Sequence, residues 1–175
     1  VNVIAFLIAY LLTNGMKGQN FFRSGFFTPN LIGGVVLGFI WQFIFTKAFD
    51  GFGSLLGIES LQGWLSTSTT GFWALVILMS WQMSGYIMVI YIAYLEGISN
   101  ELLEAAEIDG ASPFQRFRLV VFPLVAPAFT VSMFLTLSNT FKLYDQNLSL
   151  TGGGPYNSTQ MVAMEIFNTA FGRYE

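Results

Sequence analysis

The sequence predicts an all-α protein that crosses a membrane several times, a polytopic helix bundle. Of its 175 residues, 54% are hydrophobic and only 10% are charged, whereas soluble domains carry about 25% charged residues. The apolar residues also gather into three long runs, at approximately 31–49, 72–95 and 119–141. A helix needs about 20 apolar residues to cross the hydrocarbon core of a bilayer, so we expect three complete spans.

The two ends of the chain carry shorter apolar segments. Residues 1–12 are too short to cross a bilayer, and we interpret them as the end of a truncated span. Residues 161–171 predict an amphipathic helix that is also too short to cross. The chain starts at Val1 without methionine and stops at Glu175 in mid-pattern. We therefore expect a fragment of a single transmembrane domain, 1–175, incomplete at both ends.

Composition excludes several kinds of functional site. The chain has no cysteine and no histidine, which removes thiol nucleophiles, histidine bases and the usual zinc and haem ligands. A net charge of −3 spread over the loops offers no basic surface for nucleic acid. The carboxylates that precede Glu165 fall in loops or at span ends, which argues against an intramembrane enzyme built on acid pairs. We predict no catalysis, no metal site and no cofactor on this chain.

The most informative segment is the polar loop 96–118, between the second and third spans. Asn100 is placed to cap a helix that begins at Glu101. Gly110 follows that helix where a left-handed residue is expected, a conformation that glycine adopts without a Cβ penalty. A capping box then begins a second helix. Ser112 is its cap, Pro113 its first residue and Gln115 its third. The pattern predicts two short helices that meet at Gly110.

Residues at three- and four-residue spacing place a row of mostly small side chains on one side of the first helix, with glutamates beside it. The row consists of Leu102, Ala105, Ala106 and Asp109, with Glu101, Glu104 and Glu107 beside it. Small side chains allow a partner to approach closely. From the spacing alone, a docking surface and a solvated interfacial turn are equally open, because capping signals are weakly specific.

Residues 103–112 (LEAAEIDGAS), followed by Phe-Pro-Leu at 122–124, closely resemble the EAA motif of the permease subunits of bacterial ABC importers. Other stretches resemble the branch of that family that imports sugars, oligosaccharides and glycerol phosphate. These stretches are residues 22–23, 27–30, 40–41, 115–118 and 150–155 with 158–159. The resemblance covers essentially the whole chain. It implies a multi-pass permease subunit of an ATP-driven carbohydrate importer in the bacterial inner membrane.

The resemblance also implies roles and partners. In that family the EAA loop is a cytoplasmic coupling helix that docks into a cleft on a separate ATPase subunit, which hydrolyses the ATP. The matching coupling positions here are Glu104, Ala105, Ala106, Asp109 and Gly110. The implied partners are the ATPase, a second and different permease subunit, an extracytoplasmic solute-binding protein, a sugar and the lipid bilayer. Glu107 departs from the family pattern, which commonly has a basic residue there, and we expect a compensating basic residue on the ATPase.

Two alternatives for the function stay open. Importers of amino acids, peptides or metals also carry EAA loops, and a membrane scaffold without transport would fit the composition. The Thr-Gly-Gly-Gly-Pro turn at 151–155 is the feature that favours sugars within the resemblance. This turn lacks the lysine of a phosphate-binding loop, so we expect an external turn and no nucleotide site.

Within the spans, a few residues depart from a plain apolar pattern. Gly34 and Gly38 form a small-xxx-small pattern that predicts close helix packing. Pro123 and Pro127 predict a kink in the third span, since each removes a backbone hydrogen bond. The candidates for a polar translocation path are Gln42, Gln82, Asn139 and Tyr144. Hydrogen bonding or packing between helices is the competing role for each of these four residues.

Overall fold

The computed structural model describes residues 1–172, and every regular element in that range is helical. The last three residues of the predicted 1–175 domain lie outside the described range. The α-helices are α1 (Asn2–Thr13), α2 (Gln19–Phe27), α3 (Gly34–Phe43), α4 (Phe49–Leu56), α5 (Ser68–Glu96), α6 (Asn100–Ile108), α7 (Pro113–Arg116), α8 (Phe122–Phe141), α9 (Asp145–Leu150) and α10 (Val162–Phe171). The all-α prediction is thus confirmed.

Three helical stretches are long and apolar enough to cross a membrane, as the sequence predicts. They are Gly34–Leu56, Ser68–Glu96 and Pro113–Phe141. All three are longer than the predicted apolar runs, and in two of them a π-helical turn joins two α-helices end to end. The turn Ile44–Ala48 joins α3 to α4, and the turn Phe117–Val121 joins α7 to α8.

The chain divides into two compact units. The first unit comprises residues 1–30 and 82–137, and the second comprises residues 31–81 and the segment from 138 onward. Helices α5 and α8 each contribute residues to both units. The short helices predicted at the two ends are present as α1 and α10.

In the first unit, α1 packs against the second half of α5 and the first half of α8. Ala5 and Ala9, four residues apart on α1, are fully buried and allow the helices to approach closely. Beside them, the Phe6 ring lies 5.5 Å from the ring of Tyr91 and 5.4 Å from that of Phe129, measured between centroids. Van der Waals packing of this kind is the main attraction between helices in a membrane.

In the second unit, the short helix α9 lies directly on α3, and glycines make this possible. A Cβ atom added to Gly38 would stand 1.8 Å from Ser149 Oγ, and one added to Gly34 would stand 2.8 Å from Asp145 Cβ. The close packing predicted for these two glycines is confirmed. The hydrophobic cluster of this unit is aromatic and aliphatic, with the fully buried Phe45 stacked parallel on Trp64 at 5.3 Å, and the polar Asn147 and Thr159 are buried in the same unit.

Candidate functional site

The polar loop 96–118, called the coupling loop below, folds as two helices closed by backbone hydrogen bonds. At the end of α6, Gly110 has a φ of +78°, the left-handed conformation that its position predicts. Its N–H donates to the Glu107 carbonyl at 3.0 Å, and the Ala111 N–H donates to the Ala106 carbonyl at 3.0 Å. This pair of bonds is a complete Schellman motif, which satisfies carbonyls that the helix end leaves without partners.

The second helix of the loop begins with the predicted capping box. The Ser112 N–H donates to Gln115 Oε1 at 2.8 Å, and the Gln115 N–H donates back to Ser112 Oγ at 3.3 Å. Pro113 occupies the first helical position, where its missing N–H costs nothing. One local prediction is wrong: Ser99, with extended backbone, is the N-cap of α6, and Asn100 is already the first helical residue. Hydrophobic and charge patterns do not fix a helix start to the residue.

The caps hold an exposed surface that combines acidic, small and apolar side chains. Ile108 is 86% exposed and Phe114 is 69% exposed, although both are large and apolar. Of the five predicted coupling residues, Ala106 is half-buried, and the other four are exposed: Glu104, Ala105, Asp109 and Gly110. The structure therefore brings all five together on one short, accessible segment, beside apolar side chains that water solvates poorly.

An ion pair joins the two helices of the coupling loop. Arg116 Nη1 donates to Glu107 Oε2 at 2.9 Å, from α7 to α6. Glu107, which stands where the family commonly has a basic residue, thus has a basic partner within the same chain. The sequence contains both residues, but their contact depends on the turn at Gly110, which directs the second helix back along the first.

Helix α2 is attached to α5 at two points, one of which lies at the beginning of the coupling loop. Arg23 forms an ion pair with Glu96, the last residue of α5. Further back on α5, a Cβ atom added to Gly85 would stand 1.8 Å from the Phe26 carbonyl oxygen. The backbone at the end of α2 therefore lies directly on α5. The sequence does not predict this attachment, because nothing near Glu96 or Gly85 in the sequence identifies its partner on α2.

A cavity of about 450 Å³ lies in the first unit between the ends of α1 and α5 and the coupling loop. Its wall includes polar side chains from all three segments, among them Asn14, Glu96, Asn100 and Arg116. Leu103 and Phe117 of the coupling loop also line this cavity and pack against the core of the first unit.

The four path candidates have different surroundings. In the second unit, Gln42 Nε2 donates to the Leu150 carbonyl at 3.3 Å, which is the interhelical role that competes with a path role. Tyr144 is half-buried, with its ring 5.0 Å from that of Phe167, and Asn139 is exposed near the end of α8. In the first unit, Gln82 is buried within α5, with 8% of its surface exposed. The path assignment of these four residues stays a prediction.

The predicted kink region has an irregular backbone. Pro127 lies inside α8, and Pro123 is the second residue of that helix. The π-helical turn 117–121 directly precedes them. Prolines and π-turns are the usual sites of sharp bends in helices, so the beginning of the third span combines both features. The kink itself remains a prediction.

A polar network inside the first unit joins residues whose contact the sequence does not predict. The Tyr91 hydroxyl donates to Asn2 Oδ1 at 3.0 Å, and Asn2 Nδ2 donates to Thr136 Oγ1 at 3.2 Å. The network thus links α1, α5 and α8. A polar residue within an apolar helix is the available signal, but sequence spacing does not reveal which residues of three separate helices meet.

Comparison with known proteins gives a consistent result. Residues 2–173 match a family described as the binding-protein-dependent transport system inner membrane component. The chain is 58% identical, over all of its 175 residues, to the probable starch degradation products transport system permease protein AmyD of Thermoanaerobacterium thermosulfurigenes. It is 33% identical over 170 residues, 97% of the chain, to the multiple sugar-binding transport system permease protein MsmF of Streptococcus mutans. The chain spans 60% and 59% of the length of these two relatives.

Solved structures with the same fold are also known. One belongs to a bacterial ABC transporter involved in the import of the acidic polysaccharide alginate, with a TM-score of 0.85 and 15% identity. The match covers 99% of this chain and 63% of the other. A second, with a TM-score of 0.84 and 16% identity, is the alginate transporter in complex with an alginate pentasaccharide-bound periplasmic protein, and covers 98% of this chain and 61% of that one.

Proposed function

Because the chain belongs to the family of inner membrane components of binding-protein-dependent transport systems, we propose that it is a permease subunit of an ATP-driven ABC importer for carbohydrates. The observation that carries this proposal is the coupling loop. A connection between two spans needs only a short polar turn. This loop instead contains two helices, which a Schellman motif, a capping box and an ion pair stabilise. A rigid, exposed surface with large apolar side chains is suited to contact with another protein.

In the proposed importer, the partner at this surface is the ATPase subunit, and the loop lies in the cytoplasm. The small side chains of Ala105 and Ala106 allow the ATPase to approach the backbone of α6. Ile108 and Phe114 provide apolar area to bury, and Glu104 and Asp109 provide charge around it. ATP hydrolysis takes place on the partner, and this chain contributes position and movement rather than chemistry.

The substrate class follows from the relatives. The chain is 58% identical to a probable permease for starch degradation products, so we propose that the substrate is an oligosaccharide released from starch. A sugar of this kind is rich in hydroxyl groups, which side-chain amides bind as donors and acceptors, and Asn139 is the exposed amide among the path candidates. In this proposal, a second and different permease subunit encloses the translocation path together with this one. The segment 1–175 is part of a single permease domain.

Transport in this proposal is a shift between two packings of the spans. Closure of the ATPase moves the coupling loop as a rigid body, which the Schellman motif and the capping box favour and the Glu107–Arg116 pair supports. The contacts of α2 at Glu96 and Gly85 then carry the displacement along α5, and the π-turn before Pro123 allows α8 to bend.

The proposal is tested by reconstituting the full-length protein with its partner permease, ATPase and binding protein in liposomes. We expect ATP-dependent uptake of labelled maltooligosaccharides, and no uptake when this subunit is left out. Amino acids, peptides and metal ions are offered in parallel. Uptake of one of these in place of the sugars would refute the carbohydrate assignment, and intact complexes without any uptake would refute the transport function.

A further inference from the structure

The cavity between the ends of α1 and α5 and the coupling loop, called the loop cavity below, is large enough for a small molecule. Its volume is about 450 Å³, within the range of about 300–1,000 Å³ that is usual for small-molecule sites. Part of its wall is aromatic, because the rings of Tyr10 and Phe117 lie 5.4 Å apart, edge to face. Several other side chains on the wall are polar, so the loop cavity joins an apolar surface to hydrogen-bonding groups.

Three of the polar groups on this wall are available to a ligand. Within the part of the chain that the structure describes, no hydrogen bond engages the side-chain amides of Asn14 and Asn100 or the hydroxyl of Tyr10. Each amide offers two N–H donors and a carbonyl acceptor, and a phenol both donates and accepts. The Thr13 hydroxyl donates to a carbonyl of its own helix at 3.0 Å and keeps its lone pairs for a donor. These side chains come from two elements, the end of α1 and the start of α6.

The charged groups on the wall decide what kind of ligand fits. Glu96 and Arg116 both line the loop cavity, but each already has an opposite charge beside it, Arg23 for Glu96 and Glu107 for Arg116. The wall therefore offers no surplus charge to attract an ion. A phosphate in the cavity would face the carboxylate of Glu96, and a cation would face the guanidinium of Arg116, both of which are unfavourable. The arrangement favours an uncharged ligand that is rich in hydroxyl groups.

A saccharide matches both kinds of surface on this wall. Its hydroxyl groups match the available amides, and its apolar C–H face matches the aromatic rings. We propose that the loop cavity binds an uncharged mono- or disaccharide, and that the bound sugar inhibits the importer from the cytoplasmic side. The inference rests on the proposed function, which places the coupling loop in the cytoplasm, where imported sugar is released.

Inhibition follows from the elements that the sugar joins. Asn14 is the C-cap of α1, whereas Asn100 is the first residue of α6 in the coupling loop. A sugar that is hydrogen-bonded to both amides ties the coupling loop to the end of α1. In the proposed transport cycle the ATPase displaces this loop, so the ligand stabilises one packing of the spans and opposes the other. A high concentration of imported sugar thus slows further import.

The test uses proteoliposomes that contain the complete importer, with sugar-loaded binding protein enclosed and ATP added outside. Only importers whose ATPase faces outward hydrolyse this ATP, so sugar in the external medium reaches their cytoplasmic face alone. We expect external maltose and glucose to inhibit ATP hydrolysis saturably. Glucose 6-phosphate should not inhibit at concentrations at which glucose does, because its phosphate would face Glu96. Equal inhibition by glucose and glucose 6-phosphate would overturn the inference.

Two variants separate the loop cavity from the translocation path. Tyr10→Phe removes the hydroxyl and keeps the ring contact with Phe117, and Asn14→Ala removes one amide. Each should raise the half-maximal inhibitory concentration of maltose about three- to tenfold, the loss expected for one hydrogen bond or two. The ATPase rate without external sugar should not change. The matched control, Asn20→Ala, removes an exposed amide on α2 that does not line the cavity and should leave the inhibition curve unchanged.

Thiol labelling provides a readout that does not depend on activity. The 175 residues contain no cysteine, so Asn14→Cys and Asn20→Cys each introduce a single thiol into this part of the protein. Maltose should slow the reaction of a neutral maleimide with the Asn14→Cys variant and leave its reaction with the Asn20→Cys variant unchanged.

Inhibition that Tyr10→Phe and Asn14→Ala leave unchanged would overturn the inference, since sugar that enters the translocation path from the cytoplasmic side would then explain it. Absence of any inhibition would overturn it as well, and so would an Asn14→Cys labelling rate that maltose does not alter. If the parent importer does not hydrolyse ATP in response to the enclosed, sugar-loaded binding protein, the proposed function is refuted, and this inference with it.

Discussion

The carboxylate of Glu107 and the guanidinium of Arg116 lie 2.9 Å apart and join the two helices of the coupling loop. The side chain of Glu107 is 72% exposed and that of Arg116 is 32% exposed, so water screens the pair and its energy is modest. Its role is geometric, because it fixes the angle between α6 and α7 beyond the turn at Gly110. Glu107 thus has a basic partner within the coupling loop, and the compensating basic residue expected on the ATPase stays a prediction.

Reversing one charge of this pair should loosen the loop without unfolding the protein. Glu107→Arg places two guanidinium groups together and removes an interaction of about 0.2–1 kcal/mol. We expect uptake to fall about two- to fivefold, while the ATPase still co-purifies. The double exchange Glu107→Arg with Arg116→Glu restores the pair and should recover most of the uptake. Equal loss in the single and double variants would show that Glu107 acts through the ATPase instead.

Gly110 offers a sharper test of the loop. Its φ of +78° lies in the left-handed region that favours glycine. A Cβ atom added there meets no atom within 4 Å, so a side chain would cause no clash. Gly110→Val is thus strained by its backbone alone, at a cost of about 1–2 kcal/mol for an L-residue in this region. We expect normal membrane insertion, loss of ATPase co-purification and loss of uptake.

The control for this variant is Gly33→Val, because a Cβ atom there also meets nothing within 4 Å and Gly33 has an ordinary φ of −58°. It should insert, assemble and transport normally. Normal uptake by Gly110→Val would refute the coupling assignment of the loop, whereas failure of both variants to insert would indicate a general intolerance of side chains in these loops.

Local signals in the sequence predict the local structure of the coupling loop well. The capping box at Ser112 and the left-handed Gly110 depend on interactions within a few residues, and the structure confirms both. The start of α6 differs by one residue, because Ser99 and Asn100 are both acceptable caps and the backbone settles the choice. Three apolar runs likewise predict three spans, since the thickness of the bilayer sets a length that is simple to recognise.

Contacts between distant segments are the part that the sequence does not predict. Arg23 and Glu96 are 73 residues apart, and neither stands in a pattern that identifies the other. The network of Asn2, Tyr91 and Thr136 involves three helices, each of which looks apolar on its own. The small-xxx-small pattern of Gly34 and Gly38 predicts a close contact but not that α9 makes it. Spacing along one helix identifies a face, whereas the partner of that face depends on the whole fold.

The attachment of α2 to α5 predicts that Gly85 tolerates no side chain. The atom that a Cβ would meet is the Phe26 carbonyl oxygen at 1.8 Å, and because it belongs to the backbone, α2 must move. We expect Gly85→Ala to lower the free energy of unfolding by about 1–3 kcal/mol, the usual cost of overpacking, and to reduce uptake. Thermal unfolding in detergent gives the first quantity. Gly25→Ala on α2 meets nothing within 4 Å and, as a helical glycine replaced by alanine, should stabilise slightly, so equal destabilisation by both changes would contradict the contact.

The packing of α9 on α3 can be tested by a clash and its relief. A Cβ atom at Gly38 would stand 1.8 Å from Ser149 Oγ and 3.0 Å from the Gln146 carbonyl, so we expect Gly38→Ala to destabilise the protein by about 1–3 kcal/mol. Adding Ser149→Gly removes the two nearest atoms, Oγ and Cβ of Ser149, but not the carbonyl, and should restore part of the loss. Gly51→Ala on α4 meets nothing within 4 Å and, as a helical glycine replaced by alanine, should stabilise slightly. A double variant no more stable than Gly38→Ala would mean that Ser149 is not the obstacle, and that the backbone of α9 sets the distance between the two helices.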